Sequence, residues 1–97
     1  MKVIAIGSVV KVPTEEQKAE VMPKEVPATL KLYLEGTVEQ HWFRTDKPGV
    51  VFLMDVESVE AANRAVAKLP LTATGFMSFE MIPVGPLAPL GLLIAGK

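Results

Sequence analysis

Residues 3–12 read VIAIGSVVKV, apolar and β-branched almost throughout, and Pro13 closes the run. Such a run reads as a buried strand. A buried strand needs cover from other elements, so the rest of the chain must supply the cover or borrow it. Ala5 and Gly7 leave one side of the strand with very small side chains. The preceding Met-Lys pair gives the run a superficial likeness to a signal peptide. No polar, small-residue cleavage site comes after it, however, and a strand is the better reading.

The next segment, PTEEQKAEVM, carries helix punctuation. Thr14 can cap the N-terminus, Gln17 stands three residues on as in a capping box, and Glu15 and Glu16 suit the positive end of the helix dipole. Apolar Ala19, Met22, Val26, Leu30 and Leu34 keep a spacing of three or four, so one stripe extends from Gln17 to Leu34, and Gly36 supplies the stop. Pro23 and Pro27 interrupt it. Each removes an amide donor and clashes with the preceding turn, so the helix is expected to kink, or to break and restart at Pro27. The irregular MPKEVP stretch has two readings: a bend that wraps the helix round a curved sheet, or freed backbone and the charges of Lys24 and Glu25 lining a pocket.

Two strand-like runs, Thr37 to Arg44 and Val50 to Val56, flank TDKPG, whose Asp, Pro and Gly are turn residues. Ser58 then caps a second helix with Val59, Ala62, Val66 and Leu69 at helical spacing, and Pro70 is read as its end. After LTATG, the run FMSFEMI alternates as a fourth strand, with Met77, Phe79 and Met81 on one side. The order is therefore βαββαβ, the ferredoxin-like α+β arrangement: a four-stranded antiparallel sheet with two helices on one face. Its other face carries many apolar residues that no helix of the same chain can cover, and two copies packed face to face would cover them.

Ninety-seven residues suffice for one domain, and 49% hydrophobic content with a net charge of -1 places the chain among globular ones. The domain is assigned to residues 1–84. The tail, residues 85–97, contains GPLAPLGLL with neither helical nor strand period, and is read as an apolar arm that packs on a neighbouring subunit. It is too short, and too broken by Pro and Gly, to cross a bilayer. The absence of cysteine removes disulfides and thiolate chemistry and fits a cytoplasmic protein. Near-neutral charge without a basic stripe argues against nucleic acid.

The segments LEGTVEQHWFR, DVESVEAA, LPL and FEM, in this order and spacing, resemble the muconolactone isomerase family of the dimeric α+β barrel superfamily, over about residues 2 to 83. The resemblance implies a homodimer whose two sheets form one barrel, often assembled into larger rings, with a small-molecule pocket between the sheet and helix one. It also implies proton transfer within an unsaturated lactone of aromatic catabolism, with no metal and no organic cofactor. Chemistry of that kind needs a base beside an acidic C–H and a donor or cation for the enolate oxygen. Glu25 aligns with an acidic position of the family's helix one and is the candidate base. Trp42 aligns with a strand-two aromatic that would wall the pocket, and Met22 belongs to the same substrate-binding set. The chain also departs from the family. VMPKEV replaces a strongly charged segment, and Ala5 and Gly7 stand where the isomerases carry His and Lys, which implies a larger and more apolar pocket.

EQHWFR holds the only His and the only Trp. Strand alternation separates Gln40, Trp42 and Arg44 from Glu39, His41 and Phe43, so the stretch is not one constellation. His41 is either a proton-transfer group or a surface or packing residue. Tyr33 can turn its hydroxyl to a ligand or to solvent. Two functions fit these residues. One is a cofactor-free isomerase or lyase acting on a small unsaturated lactone or cyclic ketone, with Glu25 or His41 as base and Lys24 or Arg44 near the developing negative charge. The other is a non-catalytic oligomer that carries a hydrophobic small molecule in its barrel. A heme- or oxygen-using relative, with His41 as the single possible histidine ligand, is a third possibility.

Overall fold

The computed structural model describes residues 1–85, so the arm expected at 85–97 lies outside the described residues except for Gly85. The elements run β1 (Lys2–Val9), α1 (Glu15–Leu34), β2 (Val38–Phe43), β3 (Gly49–Asp55), α2 (Val59–Ala67), α3 (Pro70–Ala73) and β4 (Met77–Val84). The strands form one sheet in the order β2-β3-β1-β4, and every neighbouring pair is antiparallel. This is the ferredoxin-like arrangement that the sequence order implied. The apolar first strand lies in the sheet's interior, and the Pro-containing β4 lies at an edge, where a missing amide donor is tolerated.

Three details differ from the sequence reading. First, β1 ends at Val9 because the chain then leaves the sheet, with the Val10 N–H donating to the Phe76 carbonyl and Val10 and Val12 exposed. Second, α1 does not break and restart at Pro27 but is one continuous helix through Pro23 and Pro27. Both prolines lie away from the side that buries Val21 and Glu25, so the carbonyls of Ala19 and Pro23, which lose their donors, can be satisfied by water. Third, Pro70 does not merely end α2. It is the first residue of the single-turn helix α3, where a missing N–H costs nothing.

The helix signals did fix the termini. Thr14 accepts from the Gln17 N–H while the Gln17 side chain accepts from the Thr14 N–H, a complete capping box. At the other end Gly36 has φ 83°, its N–H donates to the Tyr33 carbonyl, and the Thr37 N–H donates to the Leu32 carbonyl. A side chain is strained at that φ, so glycine closes the helix there. Ser58 Oγ accepts from the Ala61 N–H and starts α2.

The core lies between the sheet and the helices. Val3 and Ala5 of β1, Val38 of β2, and Phe52 and Met54 of β3 meet Ala62 and Val66 of α2 and Leu69 beyond it, all buried. Full burial of one such large side chain is worth roughly 1.5–3 kcal/mol. Phe79 stacks on Phe52 with ring centroids 5.6 Å apart. It fits only because residue 7 is glycine: a Cβ there would lie 2.8 Å from the Phe79 ring. Among the described residues no helix covers the opposite face of the sheet. Pairing places Trp42, Val51, Ile6 and Glu80 in one row across it, and Gln40, Leu53, Ile4 and Ile82 in the next. Among the described residues no helix is long and apolar enough to cross a membrane.

Candidate functional site

α1 packs chiefly against α3 and β2 instead of lying across the sheet as α2 does. The space left between α1 and the sheet is a cavity of about 350 Å³. One side is formed by Met22, Glu25, Val26, Thr29 and Leu30, which recur at three and four residues and so share one side of the helix. The other side comes from the edge strand (His41, Trp42 and Phe43), from Val50 and Phe52 of β3, and from Leu71 of α3. The size suits a small ligand, and the lining is apolar apart from Glu25, Thr29 and His41.

Glu25 is 8% exposed and is the one buried charged side chain among the described residues. Its Oε1 accepts from the Leu71 N–H at 2.8 Å, and its Oε2 accepts from the Thr29 hydroxyl at 3.3 Å. The first bond joins residues that are 46 apart in sequence and ties α1 to α3, while the second lies within one turn of α1. A carboxylate has about four acceptor positions, so each oxygen keeps capacity for a further donor.

His41 and Phe43 pair with Phe52 and Val50 and therefore lie on the helix side of the sheet. The His41 ring meets the Tyr33 ring edge-on, with centroids 5.3 Å apart. Tyr33, 44% exposed, continues the α1 stripe beyond the cavity lining. Trp42 pairs with Val51 and alternates to the open face, and it borders the cavity from the sheet's edge strand. Phe43 is 87% exposed, a large apolar side chain standing in water at the cavity. The structure thus brings Glu25, His41, Met22 and Trp42 round one space, with Tyr33 beside it through His41.

Lys24 and Arg44 stand elsewhere, which corrects their grouping with Glu25 and His41. Lys24 is two positions from both Met22 and Val26, which turns it to the far side of α1, and it is exposed. Arg44 comes after β2, on the open face. Its Nε and Nη2 donate to the two Asp46 oxygens at 3.0 and 2.6 Å, and its Nη1 donates to Ser8 Oγ at 2.8 Å. Hydrogen bonding to Arg44 holds the Asp46 carboxyl down to about 2, and the Arg44 pKa is raised by the same bonds. Arg44 borders a shallow hollow of about 420 Å³ with Lys47, Ser78 and Glu80, separated from the Glu25 cavity by the sheet. Among the described residues no three His, Asp or Glu side chains cluster so as to hold a metal ion.

Sequence reasoning missed Thr29, Phe43 and Leu71. Thr29 could have been found, since it lies four residues after Glu25 on the same side of a helix. Leu71 could not, because its contribution depends on Pro70 starting a turn that brings its amide to a residue 46 positions away.

The sheet order, the helices on one face and the cavity beneath the first helix define a ferredoxin-like α+β protein with a small-molecule-sized site. Its backbone is similar to a crystal structure of muconolactone isomerase, with a TM-score of 0.74 and 24% sequence identity, over 89% of this chain and 90% of that one. The likeness shows a muconolactone isomerase-like fold, as the sequence segments implied. No protein-family model matches the chain, and no curated protein does so either.

Proposed function

We propose that the protein binds a small, largely apolar ring compound between α1 and the sheet and moves a proton on it without a resident cofactor, in the manner of an isomerase or lyase acting on an unsaturated lactone or cyclic ketone. The observation that carries this reading is Glu25, a buried carboxylate facing a cavity whose lining is apolar apart from Thr29 and His41. A base so placed can take the proton from a carbon next to the ligand's carbonyl. The C–H electron pair moves to the carbonyl oxygen as an enolate, and Glu25 returns the proton at the conjugated carbon. His41, across the cavity on β2, is the donor available to the enolate oxygen. The fold neighbour, muconolactone isomerase, is by its name an enzyme of a related kind.

A second reading, a binding protein without turnover, is favoured by one observation. Both Glu25 oxygens already accept hydrogen bonds, so the carboxylate can serve as a strut between α1 and α3. Hydrogen–deuterium exchange separates the two. In D₂O the wild type should speed exchange at the α-carbon of an unsaturated five-membered lactone or a cyclic enone, followed by NMR, and Glu25→Gln should not. Exchange no faster with wild type than in buffer would leave only the binding role.

The open face of the sheet supports a homodimer. Its middle is apolar, with Ile4, Ile6, Val51 and Leu53 part-buried and Trp42 and Ile82 exposed. Its two ends are fenced by ion pairs, Lys2 with Glu39 and Asp55 at one and Arg44 with Asp46 at the other. A second copy laid face to face buries the apolar middle. Sedimentation should give a dimer or a multiple of it, and Ile6→Lys should shift it toward monomer.

A further inference from the structure

We propose that the ligand of the Glu25 cavity is an uncharged ring compound bearing a hydroxyl or N–H donor, and that the cavity rejects carboxylates. This rests on the reading of that cavity as the ligand site. Among the described residues that line it there is no lysine or arginine. The cationic groups nearest in sequence point elsewhere: Lys24 is on the far side of α1, and Arg44 is bound to Asp46 and Ser8 across the sheet. A ligand carboxylate entering between Met22, Val26, Phe43 and Phe52 would lose its hydration, find no lysine or arginine among the described lining residues, with the His41 ring as the one nitrogen donor of the strand wall besides Trp42, and meet the buried Glu25 carboxylate. All three effects oppose it. A neutral donor meets the opposite situation. Glu25 has spent one acceptor position on Leu71 and one on Thr29, and its remaining lone pairs accept the ligand's hydroxyl or N–H while the ring lies against aromatic and aliphatic walls. Two fused rings are within the compass of about 350 Å³.

The test is calorimetric titration of the full chain at about pH 7.5 with 2-naphthol and 2-naphthoate, which share a ring system and differ in charge. Wild type should bind the naphthol at least roughly tenfold more tightly than the naphthoate. Val26→Lys puts a cation at the cavity on a helix position that is 63% exposed, where the fold tolerates it, and should reverse or erase that preference. Glu25→Gln, if circular dichroism shows it folded, should narrow the gap by admitting the naphthoate. Naphthoate binding as tightly as naphthol to wild type would overturn the charge selection and leave the cavity as the ligand site. Failure of both probes to bind would overturn the cavity reading itself, and the ligand class with it.

Discussion

The two long helices lie on the same face of one sheet and do different things. α2 has nine residues, and its Ala62 and Val66 are closed off from solvent against β1 and β4. α1 has twenty residues but buries only Val21 and Glu25, while Met22, Val26, Leu30, Tyr33 and Leu34 stand exposed. The longer helix thus contributes less core per residue and leaves its apolar stripe exposed, part of it along the cavity. α2 holds the fold together, and α1 forms one wall of a cavity. An apolar stripe by itself does not distinguish the two, since both helices have one. What separates them is where the short element α3 sits: it leans on α1 and holds it at Leu71, leaving space between α1 and the sheet.

The same charge placed in each helix should have very different consequences. Ala62→Asp places an unpaired carboxylate where no solvent reaches and should cost about 3–5 kcal/mol, enough to unfold a small domain. Val26→Asp, on a position 63% exposed, should stay within about 0.5 kcal/mol of wild type in a denaturant titration. Comparable losses in both variants would mean that α1 is as much a part of the core as α2.

Glu25→Ala comes next in size. It leaves the Leu71 amide without its acceptor and opens space beside Thr29, a loss of about 1–3 kcal/mol. The loss should be localised: amide hydrogen exchange should quicken at Leu71 and through α3 and leave the α2 amides as slow as before. Uniform acceleration across both helices would show that α3 and α1 are not a separate unit.

Pro23→Ala acts in the other direction. It restores a donor to the Ala19 carbonyl and a good helix former to the interior of α1, which favours the helix by as much as about 3 kcal/mol, less about 0.4–1 kcal/mol for the added freedom of the unfolded chain. A rise in the denaturant midpoint is expected. An unchanged midpoint would show that hydration of the freed carbonyl already compensates for the lost bond.

Most of the fold was legible because its signals are local. The Thr14–Gln17 capping box, Gly36, Ser58 and the alternation of Met77, Phe79 and Met81 each depend on a few neighbouring residues, and each is where the structure has it. Pro70 is ambiguous in sequence because the same residue can stop one helix or start another, and the choice is settled by the helical backbone of Leu71, Thr72 and Ala73. The prolines of α1 mislead for a related reason: their cost depends on whether the freed carbonyl faces water or core, which the sequence does not state. The site was legible in part. Alternation put His41 and Trp42 on opposite faces of the sheet, as the pairing does, yet both border one cavity because β2 is an edge strand, and nothing local shows that Lys24 turns away from Glu25's cavity or that Arg44 is bound to Asp46 on the other side of the sheet.

The Arg44–Asp46 pair gives the smallest expected effect and a definite sign. The bonds from Arg44 lower the Asp46 pKa from 3.8 to about 2, so between those values the unfolded chain binds the proton and the folded chain does not. The contribution of the pair is then complete above the unfolded value and is lost as pH falls through the folded one. Both groups reach solvent, Asp46 with 65% of its side chain exposed, so the contribution is modest and salt-sensitive. Asp46→Asn should therefore be slightly less stable than wild type near pH 6, and the difference should shrink below about pH 4 and vanish only below about pH 2. Because Arg44 also holds Ser8 of β1, the variant frees a cation on the open face and should weaken self-association while leaving 2-naphthol binding unchanged. A change in naphthol affinity would mean that the sheet does not insulate its two faces, and the division between a stabilising side and a ligand side would have to be redrawn.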